Sequence, residues 1–158
     1  MLYSIFHLGE NLIGVPIYTI LEIVRSNKFH PIRGASEVID GLINLRGKVV
    51  TVINTGIAFE TQKVAISDES RIYIFKNNAE LKELIDINSD EDMSPDNIGL
   101  HVEKIEGVIN VDKDELQAVP TNMAHPFYQH VVRRGEDFII ILKPSKAIIL
   151  NSTETVKP

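Results

Sequence analysis

The feature that most constrains this chain is an internal repeat of short apolar segments. Two segments carry an aliphatic-glycine-aliphatic motif followed by three aliphatic residues at identical spacings: Ile13-Gly14-Val15 with Ile17, Ile20 and Ile23, and Ile98-Gly99-Leu100 with Val102, Ile105 and Val108. A second match follows in the same order, because Arg46-Gly47 precedes one apolar run and Arg134-Gly135 precedes another about ninety residues later. Two matches in one order indicate a duplicated structural unit.

Each repeat reads as short strands separated by turns. Residues 3–8, 12–17, 49–53, 72–75 and 138–142 are rich in β-branched and aromatic residues, which favours strands over helices. Short strands at close spacing must close on themselves to protect their edges. We therefore predict a mainly β protein with two small β-barrels related by a pseudo-twofold repeat, and few short helices.

The same pattern suggests how the chain is divided. We predict one domain over residues 1–158, with approximate subdomains 12–65 and 66–142, and with 1–11 and 143–150 packing across them. Helical turns are expected over 36–41, ended by Gly41, over 79–85, and from Pro144. The acidic stretch 77–97 is predicted to be a mobile loop, and 151–158 a frayed tail.

Composition narrows the function. The net charge of −6 argues against a surface that binds nucleic acid or an anionic membrane, because both need basic patches. We also expect no direct membrane insertion. The chain has no cysteine, which excludes disulfides, thiolate zinc sites and thiol nucleophiles. The N-terminus shows neither a basic region nor a long apolar run, so we expect no signal peptide and a cytoplasmic protein.

No catalytic or metal-binding constellation is visible. The five histidines form no metal-binding pair, and His7 and His101 are expected to be strand residues with hydrogen-bond partners. The stretch that begins at Asp86 resembles a calcium loop but has Glu91 where glycine is needed and Asn97 where a bidentate glutamate is needed. We therefore predict a protein that is not an enzyme and uses no metal or cofactor.

The segment Leu42 to Asn54, which includes Asn44-Leu45-Arg46-Gly47, resembles the signature of CheW-like domains, with Gly41 as the leading glycine. Residues 21–25, 99–105 and 131–150 resemble other segments of that family, so the resemblance covers about residues 3–150. Asn54-Thr55-Gly56 departs from the family's Asp-Leu-Arg, and Thr51 replaces its usual proline.

The resemblance implies a fold and a task. It implies two five-stranded, SH3-like barrels around a shared groove. It also implies a non-catalytic adaptor that links the cytoplasmic tips of chemoreceptors to the regulatory domain of the histidine kinase CheA, in the cytoplasm at membrane-bound receptor arrays.

Candidate contact residues follow from the resemblance and the repeat. The receptor-binding groove is predicted to comprise Ile20, Glu22, Ile23, Gly41, Arg46, Ile105 and Val108. Val49 and Thr51 are predicted to contact the kinase. For the aliphatic residues the alternative is burial in a barrel core, and for Arg46 it is a structural hydrogen bond to a carboxylate such as Glu22.

Two rival functions remain open. One is a CheW-like scaffold of another chemosensory pathway, such as surface motility or gene regulation. The other is a β-barrel that binds a small ligand, or an enzyme with carboxylates drawn from the acidic stretch.

Overall fold

The computed structural model describes residues 1–84 and 92–152, with side chains described as far as residue 148. Ten strands and three short α-helices make up the described chain. The strands are β1 (Leu2–Leu8), β2 (Asn11–Pro16), β3 (Ile20–Arg25), β4 (Ile39–Leu45), β5 (Lys48–Asn54), β6 (Arg71–Phe75), β7 (Ile98–Val102), β8 (Lys104–Asn110), β9 (Tyr128–Arg134) and β10 (Asp137–Leu142). The helices are α1 (Thr55–Ala58), α2 (Asn78–Lys82) and α3 (Pro144–Ser152).

The strands form two five-stranded sheets, which confirms the mainly β, SH3-like prediction. Sheet A has the order β8-β1-β2-β10-β9, and sheet B has the order β3-β6-β7-β5-β4. The barrels are not closed, because the two outer strands of each sheet do not pair with one another. Instead a single bridge reaches the outer strand from the loop beside it, His30 to Leu42 in sheet B and Gln117 to Val131 in sheet A.

The division of the chain at residue 65 is wrong as a division in space. Sheet B lies wholly within residues 20–102, whereas sheet A combines the N-terminal strands β1 and β2 with the C-terminal strands β8, β9 and β10. Residues 1–11 therefore supply an inner strand of a sheet rather than a segment packed across it. The repeat units are β1–β5 and β6–β10. In each unit the first two strands lie in one sheet and the last three strands lie in the other.

Strand registers show that the two sheets match residue by residue. In sheet A, Gly14 of β2 lies opposite Ile5 and Ile141, and in sheet B, Gly99 of β7 lies opposite Ile74 and Val52. Both glycines occupy the middle of their sheets, where neighbouring side chains leave almost no room for a Cβ atom. The repeated aliphatic-glycine-aliphatic motif thus marks the two central strands.

Three apolar clusters hold the sheets together. One fills the inside of sheet A, around Tyr3, Ile5 and Ile139, and one fills the inside of sheet B, around Val50, Val52 and Ile72. The largest cluster contains residues of both sheets and includes Phe6, Leu8, Ile13, Val15, Ile53, Tyr73, Phe75, Leu100, Ile140 and Leu142. A shared core explains why two such small sheets are stable together.

One buried hydrogen bond also joins the sheets. The hydroxyl groups of Ser4 on β1 and Tyr73 on β6 lie 2.7 Å apart. Burial raises the pKa of Tyr73, so the phenol stays protonated and can donate at any physiological pH.

The acidic stretch 77–97, which the sequence predicts to be a mobile loop, contains a short helix and buried side chains in its described part. Its first part forms α2, with a capping box between Asn77 and Glu80, and Leu81 is buried in the shared core. Met93 is buried there too, and its backbone N–H donates to the side-chain oxygen of Asn78. The prediction for 85–91, which includes the calcium-like positions 86–91, falls outside the described residues, as does that for 153–158.

Candidate adaptor surface

The turn between β4 and β5 has a geometry that its four-residue motif explains. Arg46 and Gly47 both have positive φ, 50° and 86°, as a two-residue type I′ hairpin requires. The side-chain oxygen of Asn44 accepts a hydrogen bond of 2.8 Å from the N–H of Gly47. The asparagine therefore holds the turn, and the glycine tolerates the left-handed conformation.

Arg46 extends from this turn to the opposite edge of sheet B. Its guanidinium donates through both terminal nitrogens to the carboxylate of Glu22 on β3. Because β3 and β4 are the two outer strands of the sheet, this ion pair spans the gap that the open barrel leaves. The structural alternative for Arg46, a bond to Glu22, is correct, yet its side chain is still 70% exposed and available to a partner.

The ion pair sets the electrostatics of this edge. The hydrogen bond from Arg46 lowers the pKa of Glu22 below its ordinary value, and Glu22 in turn raises the pKa of Arg46. Both side chains are therefore charged at neutral pH, and the edge presents a fixed carboxylate-guanidinium pair.

The four aliphatic candidates divide into two pairs of equivalent residues. Ile20 on β3 and Ile105 on β8 are half-buried and pack against the shared core, so the core interpretation holds in part for both. Ile23 and Val108 lie further along the same outer strands and are 44% and 57% exposed. Neither residue belongs to an apolar cluster, so the core alternative does not hold for these two.

Gly41 has a structural position different from the one predicted. It lies inside strand β4 rather than at the end of a helical turn, and it is buried with a φ of 143°. A Cβ atom there would lie 2.5 Å from the carbonyl oxygen of His30, whose backbone pairs with the neighbouring residue Leu42. Gly41 therefore permits this close pairing and presents no side chain to a partner.

The predicted kinase contacts lie on one face of β5. Val49 is 69% exposed, Thr51 is half-buried, and Ile53 on the same face is fully buried in the shared core. Side chains on this face thus change from solvent-exposed to buried along the length of β5. β10 repeats the change in sheet A, where Phe138 is 61% exposed and Leu142 is fully buried.

The second hairpin differs from the first despite its Arg-Gly dipeptide. Its two loop residues are Gly135 and Glu136, because Arg134 pairs with Asp137 as the last residue of β9. Arg134 lies half-buried, and its guanidinium donates to the backbone oxygen of Asn110 and to Glu115. This arginine joins the two outer strands of sheet A, as Arg46 joins those of sheet B.

A buried polar network at the other end of sheet B was missed by the sequence analysis. Asp40 accepts from both the Asn54 amide, at 3.0 and 3.1 Å, and the His101 ring, at 2.8 Å. The side-chain oxygen of Asn54 accepts from the N–H groups of Ile57 and Val64. The hydroxyl of Thr55 donates to the carbonyl of His101. The only signal in the sequence was that Asn54 and Thr55 replace the family's Asp-Leu.

The expectation that His7 and His101 are strand residues with hydrogen-bond partners is confirmed. His7 contacts Glu106 at 2.5 Å, and His101 contacts Asp40. In the described part of the chain, no three histidine, aspartate or glutamate side chains gather closely enough to hold a metal ion. None of the helices within residues 1–84 and 92–152 is long and apolar enough to span a membrane.

The fold and this surface define a class of protein, a small two-sheet β scaffold of SH3-like build. The sequence model of the CheW-like domain matches residues 3–150, so the chain belongs to the CheW-like family. The chemotaxis protein CheW of Treponema pallidum (strain Nichols) is 26% identical over 140 residues, which cover 87% of this chain and 75% of that protein. The crystal structure of the scaffolding protein TtCheW from Thermoanaerobacter tengcongensis superposes with a TM-score of 0.73 at 28% identity, covering 90% of this chain and 83% of that one.

Proposed function

We propose that this protein is a non-catalytic adaptor that couples chemoreceptors to the histidine kinase CheA in bacterial chemotaxis. The single observation that carries the proposal is membership of the CheW-like family over nearly the whole chain, with a relative and a solved structure named as chemotaxis and scaffolding proteins. The adaptor would work in the cytoplasm, at receptor arrays, by holding two partners in a fixed arrangement.

The receptor face comprises the outer strands and the hairpin beside them. Glu22 and Arg46 supply a fixed ion pair, while Ile23 and Val108 supply exposed aliphatic surface. Ile20 and Ile105 support these residues from the core, and Gly41 shapes the backbone beneath them. An apolar surface edged by charges suits an amphipathic receptor helix.

The kinase face comprises the exposed end of β5. Val49 is the most exposed aliphatic residue on this strand, and Thr51 follows it on the same face. The regulatory domain of CheA would then bind sheet B, while the cytoplasmic tips of chemoreceptors bind the outer strands β3 of sheet B and β8 of sheet A at the same time.

The receptor face is tested by Ile23→Asp, since a substitution of the half-buried Ile20 would also disturb the core. We expect Ile23→Asp and Arg46→Ala to reduce co-sedimentation with receptor-containing membranes at least about tenfold. Met123→Asp, at a residue of similar exposure on a turn of the second half, is the matched control and should bind normally. Normal binding by folded Ile23→Asp and Arg46→Ala proteins would remove these residues from the receptor face.

The kinase face is tested by Val49→Asp against Phe138→Asp, because these exposed residues occupy equivalent positions in the two sheets. A pull-down with the CheA regulatory domain should lose Val49→Asp and retain Phe138→Asp. Equal loss in both variants would show that the kinase contact is not confined to sheet B.

A scaffold of another chemosensory pathway would have the same geometry, and binding to the cell's own kinase paralogues distinguishes it. A ligand-binding barrel is less well supported, since apolar side chains fill the inside of both sheets in the described structure.

A further inference from the structure

A concave pocket lies at the end of β3, away from the ion pair of Arg46 and Glu22. It is bounded by the last residue of β3 and the three residues that follow, by the loop before β6, and by the first residue of β6. Its volume is about 540 Å³. This is the range of volumes in which proteins bind small molecules.

The pocket carries an excess of positive charge. Arg25 and Arg71 lie directly opposite each other in the pairing of β3 with β6, and Lys28 lines the same pocket. Like charges in directly opposite positions destabilise a sheet. Asp68 is the only acidic residue of the lining, and none of the three cations forms an ion pair with a carboxylate in the described part of the chain. The chain as a whole has a net charge of −6, so this patch is a local exception.

One of the guanidinium groups is held in place. A terminal nitrogen of Arg71 donates to the backbone oxygens of Asp68 and Ser70, each at 2.7 Å. The loop that supplies these oxygens is itself fixed, because Ser67 and Ser70 exchange side-chain to backbone hydrogen bonds. The remaining nitrogens of the Arg71 guanidinium form no hydrogen bond within the described residues. They are therefore available to an acceptor without a loss of side-chain freedom.

A second polar group in the lining is unsatisfied. Ser26 is 94% buried, lines the pocket, and its hydroxyl has no hydrogen-bond partner among the described residues. An unpaired buried hydroxyl costs free energy unless something fills its hydrogen-bonding capacity. It lies beside three cations that form no ion pair with a carboxylate in the described part of the chain.

We propose that this pocket binds a phosphate group, either free phosphate or the phosphate monoester of a small molecule. Two arginines, one of them pre-oriented, and a lysine match the charge and the several acceptor oxygens of a phosphate dianion. Three cations against one aspartate leave a double positive excess, which suits a dianion better than a single carboxylate. The bound anion would offset the repulsion between Arg25 and Arg71.

The test uses the full-length protein at about pH 7.5, where phosphate is mainly a dianion. Inorganic phosphate and phenyl phosphate are titrated separately at constant ionic strength, with sodium chloride as the balancing salt, and backbone amide shifts are followed by NMR. We expect saturable shifts centred on residues 25–28 and 66–71. Arg25→Gln and Lys28→Gln should each weaken binding about tenfold, and Arg133→Gln, an exposed arginine on β9, should leave it unchanged.

The source of the phosphate follows from the two titrations, since tighter binding of phenyl phosphate indicates a monoester and equal binding indicates the free anion. Three results would overturn the proposal. They are shifts no larger than those caused by chloride alone, equal shifts with acetate, or unchanged binding by folded Arg25→Gln and Lys28→Gln proteins. Dispersed amide spectra establish that each variant is folded, so none of these results can be attributed to unfolding.

Discussion

The C-terminal ends of β5 and β10 occupy equivalent positions in the two sheets. Only β5 ends in a buried polar side chain, that of Asn54. The N–H of Asn54 donates to the carbonyl of Val38 at 2.7 Å, and the N–H of Lys143 donates to the carbonyl of Phe127 at 2.9 Å. A short helix follows each residue. The Asn54 side chain is fully buried among hydrogen-bond partners, whereas Lys143 is partly exposed and has no side-chain bond among those described.

This comparison distinguishes the structural features that both repeat units share from those that only one of them has. Backbone bonds, strand order and central glycines are common to both sheets. In the described structure the network of Asp40, Asn54 and His101 lies in sheet B and has no counterpart in sheet A. We interpret the network as the element that fixes the end of β5.

The largest contrast between the sheets is expected at the ends of these strands. Asn54→Asp removes the amide that donates to Asp40 and to Val64, and it brings two buried carboxylates together. We expect a loss of about 3 kcal/mol in the free energy of unfolding, measured by urea denaturation. Lys143→Asp at the equivalent position should be neutral or slightly stabilising, because it places an N-cap residue immediately before α3. Similar losses in both variants would mean that the network adds nothing particular to sheet B.

The two central glycines should differ by a smaller amount. A Cβ atom at Gly99 would lie 2.9 Å from Ile72 Cγ2 and 3.1 Å from Val52 Cγ2, both attached close to the backbone. At Gly14 the nearest atoms are the terminal methyls of Ile141 and Ile5, which can turn aside. We expect Gly99→Ala to cost about 2 kcal/mol and Gly14→Ala about 1 kcal/mol, both measured by thermal and urea unfolding. The reverse order would show that sheet A packs more rigidly than sheet B.

The two hairpin arginines should separate stability from binding. Arg134 is partly buried and joins β9 to the end of β8, so Arg134→Gln should lower the free energy of unfolding by about 1 kcal/mol and impair receptor binding less than Arg46→Gln does. Arg46→Gln, at a more exposed residue, should impair receptor binding and leave unfolding almost unchanged. Chemical denaturation and co-sedimentation of the same protein samples measure both effects. If Arg46→Gln unfolds as easily as Arg134→Gln, the hairpins are structurally equivalent after all.

The smallest expected effect is electrostatic. Because the folded pKa of Glu22 is below its ordinary value of 4.5, its ion pair stabilises the fold above that pH and the contribution is lost as the pH falls through the folded pKa. In Arg46→Gln the pKa of Glu22 should rise towards 4.5. Carboxyl carbon shifts followed by NMR between about pH 2 and 7 measure this change.

Particular residues show which structural features could be predicted from the sequence. The repeat around Gly14 and Gly99 predicted two similar β units, and Arg46-Gly47 predicted a tight turn, because strand alternation and turn conformation depend on neighbours along the chain. The exchange of strands between sheets was not predictable in this way. Local patterns specify that a strand forms, but not which of two equivalent sheets it joins.

The same limit applies to the candidate surface. Ile20 and Ile23 look alike in the sequence, yet the first packs on the shared core and the second is exposed. Gly41 resembles the end of a helical turn in the sequence, but it lies inside β4, where the backbone of His30 approaches too closely for a Cβ atom.

The sequence by itself determined the mainly β fold, its duplication, the hairpin at Asn44-Leu45-Arg46-Gly47 and the family. These depend on short-range patterns of side-chain size and backbone preference. Only the tertiary structure decided that Arg46 spans an open sheet to reach Glu22, that Asp40 meets His101, and that Arg25 faces Arg71. Each of these pairs joins residues distant in the sequence, and such contacts are set by the packing of whole strands, which no local pattern records.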